Sequence, residues 1–150
     1  MTWILQRPIL TLFLILAAVL VALWLSVTRA PVYLPRLDAS APPLPEGESH
    51  VFGFATLTNP VVRLVVVGRW VPAEPAALPG YSRFQRDLRD TPDMLLQGVR
   101  FRVTPEELQR LDRYERAGRR YRRDLLPLED GTLAWVYRLI GETGVEALQD

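Results

Sequence analysis

Cysteine is absent from the 150 residues, lysine is absent with it, and there is a single histidine, His50. Without cysteine there can be no disulfide framework, no thiol nucleophile and no thiolate metal site. One imidazole excludes a two-histidine zinc motif, and a Ser-His-Asp triad would have to be built on His50 alone. That residue stands just ahead of the first strand-like run, where it reads as a linker residue. Charge of one sign is lacking too. Eighteen basic residues, all of them arginine, face 17 acidic ones, and a net charge of +1 gives no strong push toward nucleic acid. The lysine-free, Ala-, Pro- and Leu-rich usage is compatible with a bias of genomic base composition.

What is present begins with a long apolar run. From Pro8 to Val27 there is no charge, and between Ile9 and Leu25 only Thr11 is polar. That is about the length a helix needs to cross a bilayer core, and Trp3 and Trp24 sit near its ends, where interfacial aromatics are favoured. The reading is a transmembrane anchor within residues 1–29 that meets the lipid bilayer through residues 8–27. A cleaved signal peptide is the competing reading, because Arg7 precedes the run. Against it, the run is long, and the small-residue sites Thr28-Arg29-Ala30 and Ala39-Ser40-Ala41 are each followed by proline. Arg7 and the amino terminus on one side nearly balance Arg29 and Arg36 on the other. A single-pass membrane protein is expected, with the side occupied by the domain left open. Residues 30–49 hold Pro31, Pro35, Pro42, Pro43 and Pro45 with little periodicity, and read as a semi-extended linker holding the domain off the membrane.

A folded domain is expected over residues 50–141, with a short tail at 142–150. Val51 to Leu57 is an apolar, aromatic run suited to a buried strand. Asn59 as cap, Pro60 as first helical residue and Gly68 as terminator frame a short helix through Val61 to Val67, although its valines would also suit a strand. Trp70 to Leu78, Tyr81 to Leu88 and Leu95 to Val103 read as strands, the first two joined at Pro79-Gly80. Tyr121 to Leu128 and Thr132 to Ile140 make a hairpin across Glu129-Asp130-Gly131. Strands with two short helices among them predict an α+β domain built on a small mixed, barrel-like sheet.

The second helix carries the chemistry. Thr104 is a good N-cap, Pro105 fits the first helical position, Glu107 completes a Thr-x-x-Glu capping box, and Gly118 is the expected stop. Leu108, Leu111 and Glu115 fall at i, i+3 and i+7, so an apolar stripe ends in an acid. Desolvation and the negative end of the helix dipole both disfavour its ionised form, which makes Glu115 a candidate proton acceptor near neutral pH. The plain alternative is that Glu115 lies at the rim of the helix and pairs with Arg116, Arg119 or Arg120. The arginine cluster from Arg110 to Arg123 reads first as a solvated face paired to Asp112, Glu115 and Asp124. Attraction to anionic lipid or to an acidic substrate is the functional alternative.

The order Val51-Phe52-Gly53-Phe54-Ala55-Thr56-Leu57, Pro79-Gly80-Tyr81, Gly98 to Val103, Leu111-Asp112-Arg113-Tyr114-Glu115 and Tyr121-Arg122-Arg123 resembles the gamma-glutamylcyclotransferase-like family. The resemblance covers roughly residues 50 to 140, and Leu-Asp-x-Tyr-Glu followed by Tyr-x-Arg is its most specific piece. It implies a cofactor-free enzyme, with no metal, that releases 5-oxoproline from a small-molecule gamma-glutamyl substrate by attack of the substrate's own α-amine. It further implies Glu115 as the acid/base. Phe54, Ala55, Thr56 and Leu57 would be a substrate-binding loop acting through main-chain amides, Tyr121 would line the pocket, and Arg123 would be a structural partner for a carboxylate. Tyr81, Tyr114 and Tyr137 read as core aromatics with satisfied hydroxyls. Two departures stand out. Phe54 lacks the family's usual hydroxyl, and Ala55 replaces a glycine. The other class of reading is a catalytically inactive, membrane-tethered binding module on the same fold.

Overall fold

The computed structural model describes residues 3–28 and 33–140. The tail expected at 142–150 lies outside them. The chain divides into two compact units, Met1–Tyr33 and Leu34–Asp150.

The first unit holds one helix, α1 (Trp3–Thr28), with Pro8 inside its first turns. Within it Pro8–Ser26 is long and apolar enough to cross a membrane, and none of that stretch is buried. A signal sequence would pass the same test.

The second unit is a mixed α+β domain. Its elements are β1 (Ser49–Gly53), α2 (Pro60–Val67), β2 (Glu74–Phe84), β3 (Asp87–Val103), α3 (Pro105–Glu115), β4 (Tyr121–Pro127) and β5 (Leu133–Leu139). Five strands form one curled, half-barrel sheet in the order β2-β3-β1-β5-β4. β1 sits at its centre, antiparallel to β3 and parallel to β5. Successive side chains of a strand face opposite sides. Val51 accordingly joins a core with Phe101, Val103, Leu108, Leu111, Val66 and Val67 from β3 and the two helices. Its neighbour Phe52 joins Phe54, Leu78, Leu88, Ala134 and Val136 on the other face, a cluster with no helical residue.

Local chemistry explains the helices. The Asn59 side chain accepts the Val61 N–H at 2.8 Å, Pro60 opens α2, and Gly68 closes it at φ 90°. These caps hold a valine-rich segment helical against its strand propensity. For α3 both halves of the capping box form between Thr104 and Glu107. Arg69 then clasps Glu107 with two bonds of 2.5 and 3.0 Å, tying the end of α2 to the start of α3.

Three expectations need correction. The first strand stops at Gly53, and Thr56–Thr58 form a 3₁₀ turn instead of extending it to Leu57. Pro79-Gly80 is not a hairpin turn: the ladder runs on past it with a register shift between Pro79 and Tyr81, and β2 and β3 turn at Gln85-Arg86. Gly80 spends its positive φ of 81° on that irregularity, while Gln85 takes φ 55° in the real turn. Finally, α3 closes on Arg116 in the left-handed region at φ 54°, before Gly118 is reached. The hairpin across Glu129-Asp130-Gly131 forms as expected.

Candidate functional site

The Leu-Leu-acid stripe of α3 faces inward. Leu108 and Leu111 are wholly buried, and Glu115, in the last turn, is half-buried. Protein packed around it pushes the Glu115 carboxyl up to about 7, against the pull of the Arg120 guanidinium. A carboxyl titrating there is divided between its two forms at neutral pH, as a group that takes and returns a proton should be.

Tyr121, at the start of β4, is buried beside it. Its hydroxyl is raised by burial and by the Glu115 charge, and pulled back by Arg120. Asp87 and Arg86 act on the same hydroxyl in opposite senses, so the tip of the β2–β3 hairpin belongs to this neighbourhood. The Leu139 N–H, opposite Tyr121 in the β4–β5 ladder, donates to Asp87 Oδ1 at 2.9 Å and holds the tip in place. A cleft of about 360 Å³ opens there, lined by Arg83, Phe84, Gln85, Arg86, Asp87, Arg120 and Leu139. Three of its walls are guanidinium groups. Sequence reasoning missed the hairpin tip because the turn that brings it here carries no glycine, asparagine or proline.

A second acid, Asp112, expected to pair with a solvated arginine face, does pair with an arginine but is buried with it. Asp112 is fully buried, its Oδ2 2.5 Å from Arg123 Nη1, and its Oδ1 accepts from the Tyr137 hydroxyl at 2.7 Å. Arg123 lies across the Trp135 ring at 4.7 Å from its centroid. Burial raises the Asp112 carboxyl above its ordinary value, while Tyr137 and Arg123 act to lower it. Arginine does not give up its proton, so this buried pair requires an ionised Asp112. The signal was available: Asp112 is i+4 from Leu108 and belongs to the same inward stripe. Each Asp112 oxygen has a hydrogen-bond partner, whereas among the described residues the charge acting on Glu115 is Arg120.

The loop after β1 is divided. The Phe54 ring is buried against Phe52, with centroids 6.3 Å apart, in the face away from the helices. Ala55 is half-buried with φ −126° and ψ −114°, so the left-handed region that favours glycine is not the one it adopts. Thr56 is exposed, and Leu57 is buried in the cluster that also contains Leu111, Ala117 and Tyr121. The loop's carbonyls are engaged: Thr58 Oγ1 bonds Ala55 O at 2.7 Å, and Arg63 Nη1 bonds Leu57 O and Thr58 O at 2.8 and 2.9 Å. Inside the turn the Thr58 N–H bonds Ala55 O and the Asn59 N–H bonds Thr56 O, which leaves the Thr56 and Leu57 N–H groups without a partner within the turn. The structure thus brings Leu57 and Tyr121 into one cluster with the helix that carries Glu115, and places Phe54 and Ala55 against the other. Among the described residues no group of three or more His, Cys, Asp or Glu could hold a metal ion.

The curled five-stranded sheet with short helices defines the class of fold, a mixed α+β half-barrel. Residues 51–149 match the family described as gamma-glutamyl cyclotransferase, AIG2-like, and the chain belongs to that family. Two Arabidopsis thaliana proteins solved in solution share the fold. One is 20% identical with a TM-score of 0.55, covering 67% of each chain. The other is 22% identical with a TM-score of 0.54, covering 75% of this chain and 80% of its own. A search of curated proteins finds no significant match. Family membership supports a cyclotransferase-type function in general.

Proposed function

We propose that this is a membrane-anchored gamma-glutamylcyclotransferase-type enzyme that releases 5-oxoproline from a gamma-glutamyl amine or peptide, with Glu115 as the acid/base. The observation that carries the reading is the placement of Glu115. It is the last residue of an inward-facing helix stripe, with a carboxyl raised to about 7.

The substrate's α-amine is an ammonium ion in neutral water and cannot attack until it is deprotonated. Ionised Glu115 takes that proton. The amine then forms a C–N bond to the side-chain carbonyl carbon, and the carbonyl oxygen becomes an oxyanion. Main-chain N–H groups of the Phe54–Leu57 loop are the donors available to hold it, and they need no rearrangement as the charge develops. Collapse breaks the original C–N bond: Glu115 hands its proton to the leaving nitrogen, takes the second proton of the attacking nitrogen as the lactam forms, and passes it to the released amine, which departs as an ammonium ion. The acid returns to its starting form, and no water is consumed. In this reading Tyr121, whose hydroxyl feels the Glu115 charge, helps hold the reactive conformer, since ring closure gains most of its rate from orientation.

The test uses the full chain in detergent micelles, offered gamma-glutamyl-alanine and gamma-glutamyl-ε-lysine. Release of 5-oxoproline is expected from at least one, with a loss of 10²-fold or more in Glu115→Gln and an unchanged circular dichroism spectrum. Equal turnover by the variant removes Glu115 from the mechanism. No turnover of any gamma-glutamyl compound by the wild type favours the tethered binding module.

A further inference from the structure

Part of the Pro-rich segment read as a spacer, residues Leu34 to Pro43, lies against the domain. Leu34, the first residue of the second unit, is buried. Arg113 on α3 donates through Nε to Pro35 O at 2.6 Å and through Nη2 to Leu34 O at 3.0 Å. The Ser40 hydroxyl lies 2.9 Å from Gly118 O and 2.7 Å from Asp38 Oδ1, its one proton serving either. Gly118 has a φ of 87° and no room for a side chain, since a Cβ would fall 2.4 Å from the Ser40 carbonyl carbon. Further on, Arg123 Nη2 donates to Pro43 O at 2.6 Å, so the guanidinium that neutralises Asp112 is completed by the same segment.

These anchor points bracket one residue. Arg113 precedes Glu115 by two positions and Gly118 follows it by three. We propose that Leu34–Pro43 is a strap that positions Glu115, pinning the last turn of α3 and the connection to β4 so that the carboxyl is held out of water. The inference rests on the acid/base reading of Glu115 and deepens it: the tether and the site are one mechanical piece, and the site is complete only while the strap is docked. The groups that act on Glu115 or feel its charge are Arg120, Tyr121 on β4 and Tyr137 on β5. None belongs to the strap. Undocking therefore changes the access of water to Glu115 without removing a charge partner, and the carboxyl ionises at lower pH.

The absence of cysteine supplies the probe. In the full chain in detergent micelles, the thiol of Leu34→Cys is expected to resist a bulky maleimide under native conditions and to react in denaturant. After refolding, the labelled strap cannot re-enter its seat. The Glu115 carboxyl, assigned by the signal lost in Glu115→Gln, is then followed by ¹³C NMR against pH. The expected result is a midpoint at least one pH unit lower in the labelled chain than in the unlabelled one, a change of about tenfold or more in the ionisation constant. Gly118→Ala undocks the strap by a second route should the labelled chain fail to refold, and the same fall is expected there. Native labelling as fast as in denaturant overturns the inference, and so does an unchanged midpoint on undocking. A wild-type Glu115 already titrating near the ordinary 4.5 overturns the acid/base reading, and the strap's role with it. A fall confined to the undocked chains supports both.

Discussion

Glu115 binds its proton more tightly folded than unfolded, and this has a sign that can be measured. Between the ordinary 4.5 and about 7 the folded chain keeps a proton that the unfolded chain has released. The contribution to stability is therefore full below 4.5 and is lost as pH rises through about 7. Glutamine cannot ionise. Glu115→Gln is expected to match the wild type near pH 4 and to exceed it in unfolding free energy by about 2 kcal/mol at pH 8, allowing for partial exposure to solvent. Urea titrations at the two pH values check this, and equal stability at pH 8 contradicts it. Arg120 works in the opposite direction, drawing the carboxyl down. In Arg120→Gln the acidic limb of the rate profile should therefore move to higher pH, and a limb that stays put removes Arg120 from the electrostatics of the site.

The elements show which parts of the fold can be read from the chain and which cannot. Both helices were legible because their signals are local: Asn59-Pro60 with Gly68, and Thr104-Pro105 with Glu107, act within one turn of the backbone they cap. The β2–β3 hairpin was not, because Pro79-Gly80 advertises a turn while pairing with the rest of β3 carries both strands past it. Tertiary pairing overrode the turn residues, and the same override delivered the Arg83–Asp87 tip to the candidate site. Glu115 was legible from the helix period together with its caps. Asp112 shares that period and was read as an arginine partner on a solvated face; its burial could not be read, because Arg123 and Tyr137 arrive from other strands. Close approach between strands is equally silent in the chain. Gly98 on β3 meets Phe52 and Gly53 on β1 so tightly that a Cβ would fall 2.5 Å from Gly53 O and 2.7 Å from Phe52 Cζ. Gly98→Ala should therefore cost roughly 1–3 kcal/mol, the usual price of overpacking, and should disturb the loop that leaves Gly53. A melting temperature within a degree of wild type would show that β1 and β3 can separate freely.

At the scale of the whole molecule, the question α1 poses is whether it stays attached. Pro8–Ser26 offers a bilayer an uncharged span of sufficient length, and the same features would satisfy a signal sequence. The two fates differ in the mass of the mature chain. An anchor leaves residues 1–30 on a protein that resists carbonate extraction from membranes. A cleaved signal leaves a chain beginning after Ala30 or Ala41. Retention is the expected outcome, since proline follows both small-residue sites and the described strap begins at Leu34, three residues after Pro31. Cleavage after Ala41 would cut that strap away from Gly118 and Arg113. The membrane arm has its own variant. Leu16→Arg places a charge near the middle of the span, at a cost of about 2.5–3.5 kcal/mol on insertion scales, and should move much of the protein to the soluble fraction. A chain that remains membrane-bound with that arginine, or an amino-terminal sequence that starts at Pro31 or Pro42, would show that α1 is not a membrane anchor.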